Sequence, residues 1–104
     1  MDNRMKALVD HFTIDHAEIK AIEEMAELTQ ILCKFQVMAH GGFAKAPEID
    51  FKSKAIEEMA HVKMRLDMLQ YAYEISDEEI AQEQEKKLKY LCETFNIRVD
   101  NNNP

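Results

Sequence analysis

Two short segments repeat one acidic pattern, Glu23-Glu24-Met25-Ala26-Glu27 and Glu57-Glu58-Met59-Ala60-His61. In each, the second glutamate and the last residue stand three apart, a spacing that makes them neighbours on a helix surface. Placed at helical intervals, Glu24 points with Leu28, Ile31 and Phe35, and Glu58 points along Val62, Leu66, Leu69 and Tyr73. Two carboxylates are therefore aimed at apolar surface from two different segments. Desolvating an ionised carboxylate costs several kcal/mol unless a partner compensates it. Hard divalent cations such as Mg²⁺ and Mn²⁺ take oxygen ligands, and helical bundles build such sites from side chains on facing helices. Glu24, Glu27 and Glu58 meet that demand. A protein-only answer stands beside it, because Lys54 and Arg65 lie on the Glu58 side of the same segment and either can neutralise a buried carboxylate.

Helices must hold these residues, and the caps are legible. Met5, Leu8, Val9 and Phe12 give a short first helix from about Asn3 to Phe12, after which Thr13 or Asp15 offers an N-cap for a second helix running to about Met38. Ala39-His40-Gly41-Gly42 supplies stop signals, and Pro47 keeps the connection from about His40 to Ile49 non-helical. Asp50 or Ser53 caps a third helix to about Glu74. Ser76-Asp77-Glu78-Glu79 is a capping box that opens a fourth, ending near Phe95, with Ile80, Leu88, Leu91 and Phe95 as its apolar stripe. The second helix carries another apolar strip, Ile22, Ala26, Cys33 and Val37, opposite the first. A helix with two apolar sides wants two partners, which suggests a homo-oligomer.

The 104 residues, 46% hydrophobic and 32% charged with only two Gly and two Pro, suit one all-α domain over residues 1–98, followed by a frayed polar tail at 99–104. The net charge of -7 disfavours nucleic acid and anionic membranes as partners. No window approaches a membrane span and the N-terminus lacks a signal-peptide core, so a cytoplasmic location is expected. Cys33 and Cys92, outside any CxxC or Cys/His cluster, are expected to be buried free thiols. Met25, Met59, Met64 and Met68 are expected to fill core space.

From about Met5 to Phe95 the chain resembles the MazG-like all-α nucleoside triphosphate pyrophosphohydrolases, whose pattern is EExxE on one helix and ExxD on the next. Glu23-Glu24-x-x-Glu27 matches the first part in full, and Glu58-x-x-His61 matches one of the two acids of the second. It is similar in particular to short, single-domain members. The resemblance implies a four-helix MazG-type fold completed by dimerisation, as a homodimer or homotetramer. It implies a carboxylate-bound Mg²⁺, or Mn²⁺, that grips the triphosphate while the bond between the α and β phosphates is hydrolysed to a nucleoside monophosphate and pyrophosphate. By that resemblance Glu24, Glu27 and Glu58 are ligands, with His61 in the position of the fourth; Glu23 and Glu24 are the catalytic candidates, with Glu23 near the attacking water or a second metal. Lys34, Lys54 and Arg65 are candidates for the phosphates, with Lys52 and Lys63 as further cations, and Phe43, Tyr71 and Tyr73 as base-stacking candidates. Two departures matter: His61 replaces an acid, and Arg65 stands one turn on where an apolar residue is expected. They motivate the alternative of a non-catalytic helical oligomer that binds a nucleotide or a protein partner with an impaired metal site.

Overall fold

A computed structural model describes residues 1–40 and 50–99. Within them the chain is all-helical, in the order α1 (Asn3–His11), α2 (Ile14–Ala39), α3 (Phe51–Ala72) and α4 (Asp77–Thr94), with no strand among the described residues. The connection expected over His40–Ile49 lies, beyond His40, outside the described residues, as does the tail after Val99.

Each helix starts where a side-chain oxygen takes up a backbone donor that the first turn leaves unpaired. The Asp2 carboxylate accepts the Arg4 N–H at 2.7 Å. Thr13, rather than Asp15, caps α2 by accepting the His16 N–H at 3.2 Å. Asp50, rather than Ser53, caps α3: its two oxygens accept the Ser53 N–H at 3.1 Å and the Ser53 hydroxyl at 2.7 Å. The expected box opens α4, with Ser76 and Glu79 exchanging hydrogen bonds at 3.0 and 3.1 Å. The Ser76 donors hold the Glu79 carboxyl below its ordinary range. At the other end of α3 the helix stops two residues before Glu74, which takes a left-handed φ of 57°.

The backbone divides into two compact units, Met1–Glu74 and Ile75–Pro104. In the first, α2 packs along α3 and α1 packs on α3. Among its described residues Val9, Ala17, Ala21 and Met68 are the buried apolar ones. On α2 the half-buried face runs Glu24, Leu28, Ile31 and Phe35, as the angular pattern predicts, in line with buried Ala17 and Ala21. Phe35 meets Phe51 of α3 with ring centroids 4.1 Å apart. At the opposite end the Tyr71 hydroxyl donates to Asp10 at 2.9 Å, and the Tyr73 hydroxyl donates to Glu18. These bonds tie the end of α3 to α1 and to the start of α2.

Three sequence expectations need correction. The inward stripe of α3 is Ala55, Glu58, His61, Val62, Arg65, Met68, Leu69 and Ala72, whereas Leu66 and Tyr73 are exposed at 45% and 44%. Leu66 lies round the helix from the line of Glu58 and Arg65, Tyr73 is the C-cap residue beyond the helix, and a search for apolar residues alone skips the polar members that mark the true line. Cys33 is exposed, because it sits on the second strip of α2, which α3 does not cover; Cys92 is half-buried, and both thiols are free. Of the methionines assigned to the core, Met68 is buried and Met64 half-buried, while Met25 and Met59 are exposed. In the second unit no residue of α4 is buried, and Ile80, Leu88 and Phe95 of its apolar stripe are exposed.

Candidate metal centre

Glu24 on α2 and Glu58 and His61 on α3 each bring one potential ligand atom to a common point, all within 4.8 Å of one another. The pairing of α2 with α3 creates this convergence, because the inward line of each helix carries its glutamate opposite the other's. Glu58 is only 8% exposed. His61 Nδ1 lies 3.4 Å from Glu24 Oε2. That separation exceeds the roughly 2.7–2.9 Å of a charge-assisted hydrogen bond.

A protonated His61 would form an ion pair with Glu24 across that distance, but it supplies no hydrogen bond to either carboxylate. Glu24 Oε2 and Glu58 Oε2 are both buried without a hydrogen-bond partner among the described residues. Glu27, one turn along α2, joins them: the Glu58 carboxyl within hydrogen-bonding reach, and then the charges of Glu24 and Glu58, push its carboxyl above the ordinary range. Three carboxyl groups thus crowd one spot, and crowding of like charges is relieved by a proton or by a cation.

Neither of the protein cations set against a metal in the sequence gives a hydrogen bond to the two buried carboxylate oxygens. The Lys54 ammonium pairs with Glu57 at 3.5 Å. Arg65 lies in the inward stripe, but its Nη1 approaches Met68 Sδ at 3.9 Å and its buried Nε has no partner among the described residues. Buried carboxylate oxygens with no donor, of a type that hard cations accept, make the residues present a fit for a divalent ion.

Beside the cluster lies a cleft of about 200 Å³, with Glu27 and Glu58 at its acidic side. Lys34 and Lys54 supply positive charge to its wall, and Ile31 and Phe51 supply apolar surface. Two of the three cations expected to meet phosphates therefore line a single depression next to the carboxylates. Glu23 is elsewhere: it is exposed and pairs with Lys20 one turn earlier, at 3.1 Å. Lys52 and Lys63 are exposed, and Phe43 lies outside the described residues. The hydroxyls of Tyr71 and Tyr73 donate to Asp10 and Glu18, and these hydrogen bonds, which hold the proton on the phenol, raise both above the ordinary phenol range. Gln30, at the cleft wall, was not singled out from sequence. Its place one turn from Glu27 was the available signal.

No protein-family model, no curated protein and no solved structure matches the chain. No helix among the described residues is long and apolar enough to cross a membrane.

Proposed function

We propose that the protein is a metal-dependent nucleoside triphosphate pyrophosphohydrolase of the MazG-like type, converting a standard or modified (d)NTP to the monophosphate and pyrophosphate. The observation that carries this reading is the pair of buried carboxylate oxygens on Glu24 and Glu58 that no hydrogen bond satisfies among the described residues, set beside a cleft that Lys34 and Lys54 line. Glu24, Glu27 and Glu58, with His61, would hold a divalent ion, Mg²⁺ or Mn²⁺. When bound, such an ion neutralises charge on phosphate oxygens and makes water more acidic.

The side chains divide the remaining work. Lys34 and Lys54 would meet the phosphate oxygens, and Arg65 would be a further cation within reach of the acidic stripe. The resemblance makes Glu23 and Glu24 the catalytic candidates; of the two, Glu24 belongs to the converging group, while Glu23 is turned to Lys20. We assign Glu24 the larger share. A cleft of about 200 Å³ is smaller than the roughly 300–1,000 Å³ that encloses a small-molecule ligand, so it would take the phosphates and leave the nucleoside to other walls. A homodimer or homotetramer, located in the cytoplasm with the nucleotide pool, would supply them.

The test is pyrophosphate release from a broad panel of (d)NTPs with Mg²⁺ or Mn²⁺. Release by the wild type, abolished in Glu58→Gln, is the expected result, and no release from any nucleotide would sink the reading. One observation favours a second reading, a non-catalytic oligomer binding a nucleotide or protein partner: a histidine occupies the acid's position and Arg65 Nε is buried beside it without a partner. On that reading His61→Asp creates ion binding or hydrolysis that the wild type lacks, and the absence of any gain counts against it.

A further inference from the structure

We infer that the Glu24/Glu58/His61 cluster is selective for a transition ion such as Mn²⁺ over Mg²⁺, with the imidazole of His61 as a direct ligand; this rests on the metal reading proposed above. Three features of the site point the same way.

The first is geometry. Donor atoms bound to one ion at about 2.1 Å stand roughly 3–4.2 Å from one another, and the three found here already lie within 4.8 Å. His61 Nδ1 is 3.4 Å from Glu24 Oε2, inside that range, so the imidazole shares the ion's coordination sphere with the carboxylates instead of flanking it. Small side-chain rotations on two packed helices suffice to close the site.

The second is donor chemistry. Mg²⁺ demands oxygen ligands, holds its water tightly and depends on negative charge to be drawn into a site, whereas imidazole suits the first-row transition ions, whose affinity for nitrogen rises along the series from Mn²⁺. A histidine in the cluster removes one anionic ligand and offers one nitrogen. Both changes penalise Mg²⁺ more than Mn²⁺.

The third is that an oxygen ligand remains in place and in need of a partner. Glu58 is more than nine-tenths buried, and its Oε2 has no partner among the described residues. That anchor suits Mn²⁺, which a site of soft donors alone would not hold.

The probe is Mn²⁺ itself, followed by electron paramagnetic resonance on the purified full-length protein, with Mg²⁺ and Mn²⁺ affinities measured by titration calorimetry. Bound Mn²⁺ in the wild type should show the ¹⁴N modulation of a coordinated imidazole. His61→Asp should still bind Mn²⁺ but lose the nitrogen signal. The preference for Mn²⁺ over Mg²⁺ should shrink by at least about tenfold, since loss of even an outer-sphere partner typically costs 10–100-fold in metal affinity. His61→Gln, which keeps the size but offers no imidazole, should lose the signal as well. Mn²⁺ that binds, is lost in Glu24→Gln and Glu58→Gln proteins of unchanged helicity, and shows no ¹⁴N modulation would overturn the role of His61 while leaving the carboxylate site standing. No binding of either ion would overturn both.

Discussion

Glu58 sets a conflict that the ion-free protein must carry: a carboxylate only 8% exposed, one oxygen without a donor, and the Glu24 and Glu27 carboxyls beside it. Replacing it by Gln removes a buried charge and offers the two neighbours an amide donor. A satisfied hydrogen bond in place of an uncompensated charge is worth on the order of 1 kcal/mol. In the presence of a chelator Glu58→Gln should therefore melt higher than the wild type, by roughly 4–8 °C for a domain of this size. Saturating Mn²⁺ should invert the order, because an ion that binds only the folded wild type adds about 2.7 kcal/mol at a hundredfold excess over its Kd. Thermal melts with and without the ion read both effects, and a variant that melts lower in chelator would show that the carboxylate is already compensated. At this scale much was legible in the chain. The spacing in Glu24-x-x-Glu27 and Glu58-x-x-His61 is set by helix geometry, and the buried, crowded carboxylates follow from it. The inward place of Arg65 was legible too, since the helical period puts it on the Glu58 side; the place of Glu23 was not, because it depends on Lys20, which pairs with it on the exposed face.

At the scale of the helix, the caps carried most of the information, since a cap is a local bond between residues three apart that the sequence displays directly. Capping oxygens were expected at Thr13 or Asp15, at Asp50 or Ser53 and at Ser76; the bonds form at Thr13, Asp50 and Ser76. Asp50 gives a pH-dependent consequence. The hydrogen bonds from the Ser53 hydroxyl and backbone hold its carboxyl below the ordinary value of 3.8. A depressed folded-state pKa means that its contribution is fully present above the unfolded-state value and is lost as the pH falls through the lower, folded-state one. Protection of the first-turn amides of α3, read by hydrogen exchange, should fall on acidification in that window, and Asp50→Asn should flatten the response. Equal acid sensitivity in both proteins would mean that the cap carboxylate is not its source. In α4, where no residue is buried, the Ser76 cap weighs more: Ser76→Ala should cost about 1 kcal/mol of local helix stability, seen as faster exchange in the first turn. Less legible was the inward line of α3. Its members include Glu58, His61 and Arg65, so counting only apolar residues drew the stripe toward Leu66 and Tyr73, which are exposed.

At the scale of the molecule, the described residues of the first unit bury very little apolar surface for the amount they carry. Val9, Ala17, Ala21 and Met68 are buried, whereas Ile19, Ile22, Leu32, Val37, Ile56 and Leu66 are exposed. Ile22 and Val37, exposed at 61% and 43%, belong to the second strip of α2 that the sequence pattern marks as needing another partner. Fully burying side chains of this kind stabilises by about 1.5–3 kcal/mol each. A self-association that covered the strip would therefore add stability comparable with that of a small domain. A closed homo-oligomer places the same strip on both sides of a two-fold axis, and no other chain is needed. The expected outcome is a dimer or tetramer in sedimentation velocity, with a melting temperature that rises with protein concentration. Ile22→Glu combined with Val37→Glu puts two charges into that strip without touching Glu24, Glu27, Glu58 or His61. It should yield a smaller species whose melting temperature no longer depends on concentration. A wild type that sediments as a monomer up to millimolar concentration, with a concentration-independent melt, would show that the strip stays open to solvent and that any remaining walls of the cleft come from this chain alone.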